Sequence, residues 1–592
     1  MAQFNHKNST SVNPELLFTT RHSAEHLLTF ALQRLYGKDS FLMAMGPAIE
    51  NGFYADIQLQ DLTLSEEQFP AIEAEIARLI QEDLPFTRET VTSEQARELF
   101  ANNPFKLELI QELEASKKEI TIYRTGTFVD LCAGPHVETS SQVGVVKLLS
   151  LAGAYWHGDE HNPMLTRIYG TAFATQAELD AYLFQLEEAK RRDHKLLGQQ
   201  LDLFTFSSLV GPGLPLWTPK GTLLRNLLDE FVWSLRGMQG YEKVEIPHIT
   251  KKDLYVTSGH WEKYADDLFH ITTREGHEFA LKPMNCPHHT QIYARKLWSY
   301  RELPQRYANT TMCYRDEQTG ELNGLSRVRA FTQDDAHVFC RMSQVKEEFL
   351  KIWDIVHEFY PAFGFELKVR LSRHDPDHWE KYLGNKDQWA TAEALLREII
   401  SEKQVEAMDG VGEAAFYGPK LDFMALDALG REWQVATIQL DMNMPERFDL
   451  VCVNEQGEKE QVVMIHAAIM GSIERFLSIL LEHTAGVLPS WLSPVQAVVI
   501  PISQDQTAYA QQTMSLLKNA GVRAELWNQA ESMQNRIRKA EQEKIPFMVV
   551  VGKKEVADGT ISVRRRGSRD TELMKAETLS TLIKEQAVAK TA

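Results

Sequence analysis

From Arg21 to Leu35 the apolar residues Ala24, Leu27, Leu28, Ala31 and Leu35 recur at spacings of three and four. That spacing predicts an amphipathic helix, and Gly37 supplies its stop. A Gly46-Pro47 turn, an Asn51-Gly52 loop and a second helical stretch over 66–81 follow. Residues 120–131 alternate like a strand and break at Ala133-Gly134-Pro135, so the first region reads as α+β. Residues 176–197 read as a polar connecting helix, its solvated face carrying Lys190, Arg191, Arg192, His194 and Lys195. The middle third opens with Pro212-Gly213-Leu214-Pro215 and lacks a clean βαβ rhythm, which predicts a largely antiparallel sheet. From Pro494 the pattern becomes strand 497–502, helix 506–519, strand 523–527, helix 531–544 and strand 547–551, a compact αβ unit. No internal repeat or low-complexity segment interrupts the chain.

Composition narrows this picture. A length of 592 residues implies roughly three to five domains. With 43 % hydrophobic and 24 % charged residues, whole-chain disorder is excluded. The balance of 63 Lys+Arg against 82 Asp+Glu, a net charge of −19, excludes indiscriminate coating of polyanions. It leaves room for local cationic patches, at 190–195, 536–539 and 564–569. Five cysteines are too few for a disulfide framework, and an odd count leaves one over, which points to a reducing compartment. Met1 to Glu15 holds no signal or transit pattern, and no apolar run reaches a membrane-spanning length.

Several constellations could carry chemistry. His22 and His26, four apart, share one face of the first helix with Thr29 and Gln33, opposite the leucine stripe. A solvated polar face explains that arrangement, and the string His22-Ser23-Ala24-Glu25-His26 also matches the inverted zinc-protease pattern. Cys132 and His136 follow the predicted strand and could join the pair, as a zinc set or as a hydrolytic pocket. Between Cys313 and His337, read as strand, loop and strand, Arg315, Arg327 and Arg329 gather near the Phe331 ring and two carboxylates. Guanidinium forks fit phosphate and an aromatic face fits a purine, whereas the alternative is a surface ion-pair ladder. Arg475 sits in the first turn of an apolar helix, a poor place for a cation unless an anionic partner is bound. No P-loop is present. Spacing alone does not nominate Cys286, His337 and His466 as a set.

Taken together, the strings His22-x-x-x-His26, Cys132-x-x-x-His136, Pro283-Met284-Asn285-Cys286-Pro287, Tyr314-Arg315-Asp316-Glu317, Phe331 to His337, Phe416 to Lys420, and His466 with Gly471 to Arg475 resemble the bacterial-type threonyl-tRNA synthetases of class II. The resemblance runs from about Leu16 to about Ile583, and departs from most bacterial members in lacking a small ubiquitin-like domain before the first helix. It implies an α+β multidomain fold: an α+β editing domain with its connecting helix (1–195), a class II catalytic domain on an antiparallel sheet (196–493) and an α/β anticodon-binding domain (494–592). It implies threonine activation with ATP, transfer to tRNA(Thr) and hydrolysis of mischarged seryl-tRNA(Thr). The alternatives are a free-standing editing hydrolase and a noncatalytic RNA-binding paralogue. Carried over by motif, Arg315, Glu317, Arg327, Phe331 and Arg475 meet ATP, with Arg315, Glu317 and Arg475 catalytic. Gln333, Asp335, Tyr417 and Gln439 surround L-threonine. Cys286, His337 and His466 hold one Zn²⁺ per subunit, and Mg²⁺ accompanies ATP. Three ligands leave positions open, and a site that reads the hydroxyl rejects valine far better than serine, hence the need for editing. For that second site the resemblance nominates His22, His26, Lys106, Asp130, Cys132 and His136, as a metal-free pocket. Glu555 and Arg564 are expected at anticodon bases, with Arg536, Arg538 and Lys539 at phosphates. A homodimer formed around 240–248, a cytoplasmic location and no membrane partner complete the expectation.

Overall fold

The computed structural model describes residues 14–60 and 62–590, which form two compact units divided at Glu187/Glu188. The first unit opens with α1 (Pro14–Tyr36), followed by β1 (Phe41–Met45), β2 (Gly52–Leu59) and α2 (Phe69–Gln81). Then come β3 (Thr87–Thr90), α3 (Pro104–Ala115), β4 (Thr121–Thr125), β5 (Phe128–Leu131), β6 (Val145–Tyr155), β7 (Met164–Phe173) and α4 (Gln176–Arg191). The main sheet is antiparallel in the order β1-β2-β7-β6, and β3-β4-β5 form a smaller one.

Helix α1 packs its leucine stripe against β2 and β7, with Ala24, Leu27, Leu28 and Ala31 fully buried. Its polar side is no solvated face, however: Ser23, Glu25, His26 and Thr29 are also buried. Met43 of β1 and the β4-β5 hairpin meet that side, Thr29 Oγ1 lying 3.7 Å from Met43 Sδ and His26 5.5 Å from the Phe128 ring. Residues 120–131 form this hairpin rather than one strand, with Thr125 paired to Phe128 across the turn Gly126-Thr127. The same alternation continues through both arms, so the period does not reveal the turn.

In the second unit the described elements used below are α5 (His194–Gln200), α6 (Pro219–Met238), β8 (Glu242–Lys243), α7 (Cys286–Tyr293), β9 (Gln305–Tyr314) and β10 (Ala330–Cys340). They continue with α8 (Val345–Phe359), β11 (Glu366–Arg373), β12 (Ala407–Val411), β13 (Lys420–Leu426), β14 (Glu432–Asp441), β15 (Val463–Ser472) and α9 (Ile473–Thr484). The connecting helix is therefore two helices. Asp193 breaks it by accepting from Lys195 N–H at 2.7 Å as the cap of α5.

The large sheet runs β8-β9-β10-β15-β14-β13-β11-β12, antiparallel except for its two outermost pairs. The largely antiparallel expectation is borne out. Helices α8 and α9 pack on its central strands around Ala336, Val338, Ile465, Ala467 and Ile438. Side chains on strands alternate between faces, so Gln333, Asp335 and His337 point away from this core into a cleft.

The last segment contains β16 (Ala497–Pro501), α10 (Thr507–Asn519), β17 (Ala524–Leu526), α11 (Met533–Gln542), β18 (Phe547–Val551), β19 (Ile561–Arg565), β20 (Thr571–Met574) and α12 (Ala576–Ala589). Its sheet order is β17-β16-β18-β19-β20, parallel over the first three and antiparallel over the rest. The five predicted elements occur in the expected order, and β19, β20 and α12 extend them.

Candidate functional site

Sheet register brings distant residues together. Tyr307 pairs with His337, His337 with His466, His466 with Gln439 and Gln439 with Lys420, one row across five strands. Cys286, at the start of α7, joins His337 and His466 so that all three donor atoms lie within 4.8 Å of one another. His466 Nε2 lies 3.0 Å from Asp441 Oδ2, so it donates there and presents an unprotonated Nδ1 to His337 Nε2, 3.0 Å away. His337 Nδ1 lies 2.8 Å from His289 Nδ1. Burial keeps His337 well below the usual histidine range and pushes the Cys286 thiol up. A buried sulfur and two imidazole nitrogens, with a carboxylate behind one ring, fit Zn²⁺ in donor chemistry and in outer-shell support.

Every residue assigned from the sequence to ATP, threonine or the metal lines the same cleft of about 690 Å³. On the threonine side, Tyr417 donates to Gln439 Oε1 at 2.6 Å and Asn285 Nδ2 donates to Asp335 Oδ2 at 3.0 Å. Toward the other end, the Arg315 guanidinium lies 5.2 Å from the Phe331 ring centroid, and its buried Nε has no hydrogen-bond partner among the described residues. Arg327 instead donates to Glu317 at 2.6 Å and to Glu321 at 2.9 Å. The ion-pair reading thus holds for Arg327, while Arg315 makes no ion pair among the described residues. Arg475 follows the Ser472 cap of α9 and makes no ion pair among the described residues.

Sequence reasoning missed several supports. Glu474 is buried and accepts from Thr332 N–H at 2.7 Å, and Arg225 approaches it at 3.5 Å. His260 also lines the cleft, fully buried and held down to about 3 by that burial. Asn285 and Glu474 lie inside strings quoted above, whereas Asp441, Arg225 and His260 carry no local signal.

In the first unit, His22, His26, Cys132 and His136 bring their donor atoms within 4.8 Å of one another. His22 Nδ1 donates to Pro135 O at 3.1 Å, leaving Nε2 as an acceptor facing Cys132 Sγ at 3.3 Å. Ser23 Oγ donates to Thr19 O, so its lone pairs accept from Val137 N–H and from His136 Nδ1 at 3.1 Å. His136 Nε2 is then a second acceptor, 3.2 Å from the same sulfur. One thiol proton cannot serve two nitrogens, so one imidazole lone pair remains for a water or a cation.

Burial pushes the Cys132 thiol up to about 12 and His136 down to about 3, and holds His26 well below its usual range. Lys106 and Asp130 form a buried pair at 2.6 Å. Gly134 has φ +78°, and a Cβ there would meet the Tyr123 hydroxyl at 2.3 Å, so glycine lets the turn close over Tyr123. Phe86, stacked on His136 at 5.2 Å, and Tyr123 were not legible in the sequence. Ser23 lies within the quoted string, and its role at His136 has no local signal.

The cationic patches need correction. Arg192 bonds Glu188 at 3.2 Å and His483 O at 3.1 Å, and His194 is buried. Arg536 is buried and donates to Trp527 O at 2.7 Å, so it does not face phosphate, whereas Arg538 and Lys539 are exposed. Arg564 is half-buried, bonded to Glu541 and to Ser568 O. Glu555 accepts from Gly552 N–H at 2.8 Å. Among the described residues no helix is long and apolar enough to cross a membrane.

Comparison with known proteins adds an independent line. Residues 269–484 match the tRNA synthetase class II core domain (G, H, P, S and T), residues 496–586 an anticodon binding domain, and residues 120–169 the threonyl and alanyl tRNA synthetase second additional domain. A threonine–tRNA ligase of Flavobacterium johnsoniae is 48 % identical over 549 residues, covering 92 % of this chain and 84 % of that one. Its counterpart in Thermotoga maritima is 45 % identical over 561 residues, covering 95 % and 87 %. The crystal structure of the RNA binding domain of threonyl-tRNA synthetase from Cryptosporidium parvum superposes with a TM-score of 0.64 at 38 % identity, covering 67 % of this chain and 98 % of that one.

Proposed function

The chain belongs to the threonine–tRNA ligase family, and on that premise we propose how its residues divide the work. The family match covers a class II core and an editing-type domain together, which favours the full ligase over a lone hydrolase or a noncatalytic paralogue. The observation that carries the activation site is the single cleft in which Arg315 and Phe331 lie at one side and the Cys286, His337, His466 and Gln439 row at the other.

In this reading Phe331 stacks on adenine, Glu317 reads its edge and Arg327 holds Glu317. Arg315 and Arg475 take charge off the phosphates, Arg315 at the α-phosphate, which the threonine carboxylate attacks as pyrophosphate leaves. Mg²⁺ enters with ATP. Gln333, Asp335, Tyr417 and Gln439 orient threonine. Cys286, His337 and His466 would hold Zn²⁺, whose open positions would take the amino and β-hydroxyl groups and so favour threonine over valine. The adenylate then passes threonine to the terminal ribose of tRNA(Thr).

Serine differs by one methyl group, worth only roughly 1–3 kcal/mol of discrimination, so its removal falls to the first unit. There the spare imidazole acceptor beside Cys132 takes a proton from the water that attacks the seryl carbonyl and gives it to the ribose oxygen as the ester bond breaks and serine leaves, a general-base and then general-acid role. The buried Lys106–Asp130 pair orders the pocket wall. We read this site as working without metal, with Cys132 hydrogen-bonded between His22 and His136. Glu555 and Arg564 are read as anticodon contacts, the latter by exchanging its Glu541 partner for a base. Functional domains are drawn at 1–195, 196–493 and 494–592, in a cytoplasmic homodimer joined around 240–248.

The test is pyrophosphate exchange with threonine, serine or valine, with zinc measured on the same sample. Threonine-dependent exchange and one zinc per chain are expected. Absence of exchange with threonine refutes the activation site, and a second zinc retained in the first unit refutes the metal-free pocket.

A further inference from the structure

His194 sits in what the sequence presents as a solvated cationic run, yet its side chain is only 2 % exposed. Two bonds fix its state. Its Nε2 accepts from the backbone N–H of Leu325 at 3.0 Å, so that nitrogen carries no proton. Its Nδ1 therefore donates to Glu482 Oε1 at 2.7 Å, and Glu482 is braced by Arg431 at 2.6 Å.

The approach is built from both sides. Gly324 has φ +51°, and a Cβ there would stand 2.2 Å from His194 Nε2. Leu325 is fully buried in the large core, Lys195 Nζ reaches Asn323 Oδ1 at 3.3 Å, and Ser326 Oγ meets Ser478 Oγ of α9 at 2.9 Å. Asn323 N–H donates to Arg327 O at 3.1 Å, so a turn begins at Asn323 and delivers Arg327. Arg327 in turn holds Glu317.

We propose that His194 is a positioning residue for ATP: its imidazole ties the 323–327 turn, which presents Arg327 and Glu317, to the end of the helix whose first turn carries Arg475. The proposal rests on the assignment of those residues to ATP above. His194 touches no substrate and acts by holding two walls of the nucleotide half of the cleft in register. The threonine half is built on β10, β14, β15, the start of α7 and Tyr417, none of which belongs to this turn. The effect should therefore fall on ATP and spare threonine.

Two substitutions separate this from general stabilisation. In His194→Gln the amide oxygen can reach the Nε2 position and still accept from Leu325 N–H. In His194→Asn the amide stays near the Nδ1 position, keeping Glu482 and losing Leu325. With full-length protein, His194→Asn is expected to raise the KM for ATP in pyrophosphate exchange by about five- to tenfold, the worth of a lost buried hydrogen bond. The KM for threonine should be unchanged, and His194→Gln should recover most of the loss.

Gly324→Ala, which crowds the imidazole from the loop side, should copy His194→Asn and serves if that variant does not fold. Equal behaviour of Asn and Gln, or parallel rises in both KM values, overturns the proposal. Deuterium exchange at the Leu325 amide provides a second readout: protection lost in Asn and kept in Gln supports the tie, and unchanged protection in Asn overturns it. A wild-type protein with no threonine-dependent exchange refutes the synthetase reading instead, and the amide measurement still decides whether the tie exists.

Discussion

Each of the two units gathers cysteine and histidine, but the surroundings give the two clusters different chemistry. In the second unit the donors come from a helix start and from adjacent strands, and Asp441 holds the His466 ring from behind at 3.0 Å. In the first unit four donors come from one helix and one turn; His22 and His136 meet a carbonyl and a hydroxyl, and the buried Glu25 carboxyl lies 3.9 Å from His26. Each of these partners fixes a ring's tautomer, and a carboxylate adds basicity toward a metal. On that difference the proposed function puts the metal in the second unit and the proton acceptor in the first.

The strongest way to break this contrast is Cys286→Ala. It should remove bound zinc and lower threonine-dependent exchange by roughly 10³-fold, the scale of a lost metal contribution, while hydrolysis of seryl-tRNA(Thr) continues. A matching loss of hydrolysis would show that the clusters do not act separately. His136→Ala should do the reverse: the thiol proton then occupies His22, no spare imidazole remains, hydrolysis falls by roughly 10²-fold, and exchange is unchanged. Next in size is Asp441→Asn, expected to weaken zinc binding by about 10- to 100-fold in competition with a chromophoric chelator. Unaltered zinc affinity would remove the carboxylate from the argument.

The smallest effect is on pH dependence. Burial moves His136 down to about 3 from 6.5 and the Cys132 thiol up to about 12 from 9.0. Below 6.5 the unfolded chain gains a proton that folded His136 refuses, so stability contributed there falls as the pH drops toward 3. Above 9.0 the unfolded thiol ionises while the folded one does not, so stability falls as the pH rises toward 12. Between those limits enzymic seryl-tRNA hydrolysis should vary by less than about twofold, since neither group titrates. A steep rise between pH 7 and 9 would assign the chemistry to a thiolate.

The residues nominated for activation line one cleft, and they could be picked out because their strings are long and ordered along the chain. Its supports were less so. Arg225 approaches Glu474 from a helix far upstream, and Asp441 stands behind His466 from another strand. Neither pairing has a spacing that local pattern can detect. The cationic runs misled for the same reason: charge along a sequence does not tell whether Arg536 or His194 turns inward to a carbonyl or a carboxylate.

By itself the sequence determined the element pattern of the last segment, the antiparallel character of the middle third, the exclusion of disorder and of indiscriminate polyanion binding, and the identities of the candidate residues. Those follow from short-range periodicity, composition and motif order. Tertiary structure alone decided that both faces of α1 are buried, that residues 120–131 fold back on themselves, and that His194 ties a distant turn to α9. Each depends on which surfaces meet, because a polar side chain is buried once a specific partner replaces its water, and partners distant along the chain are chosen by packing and strand register.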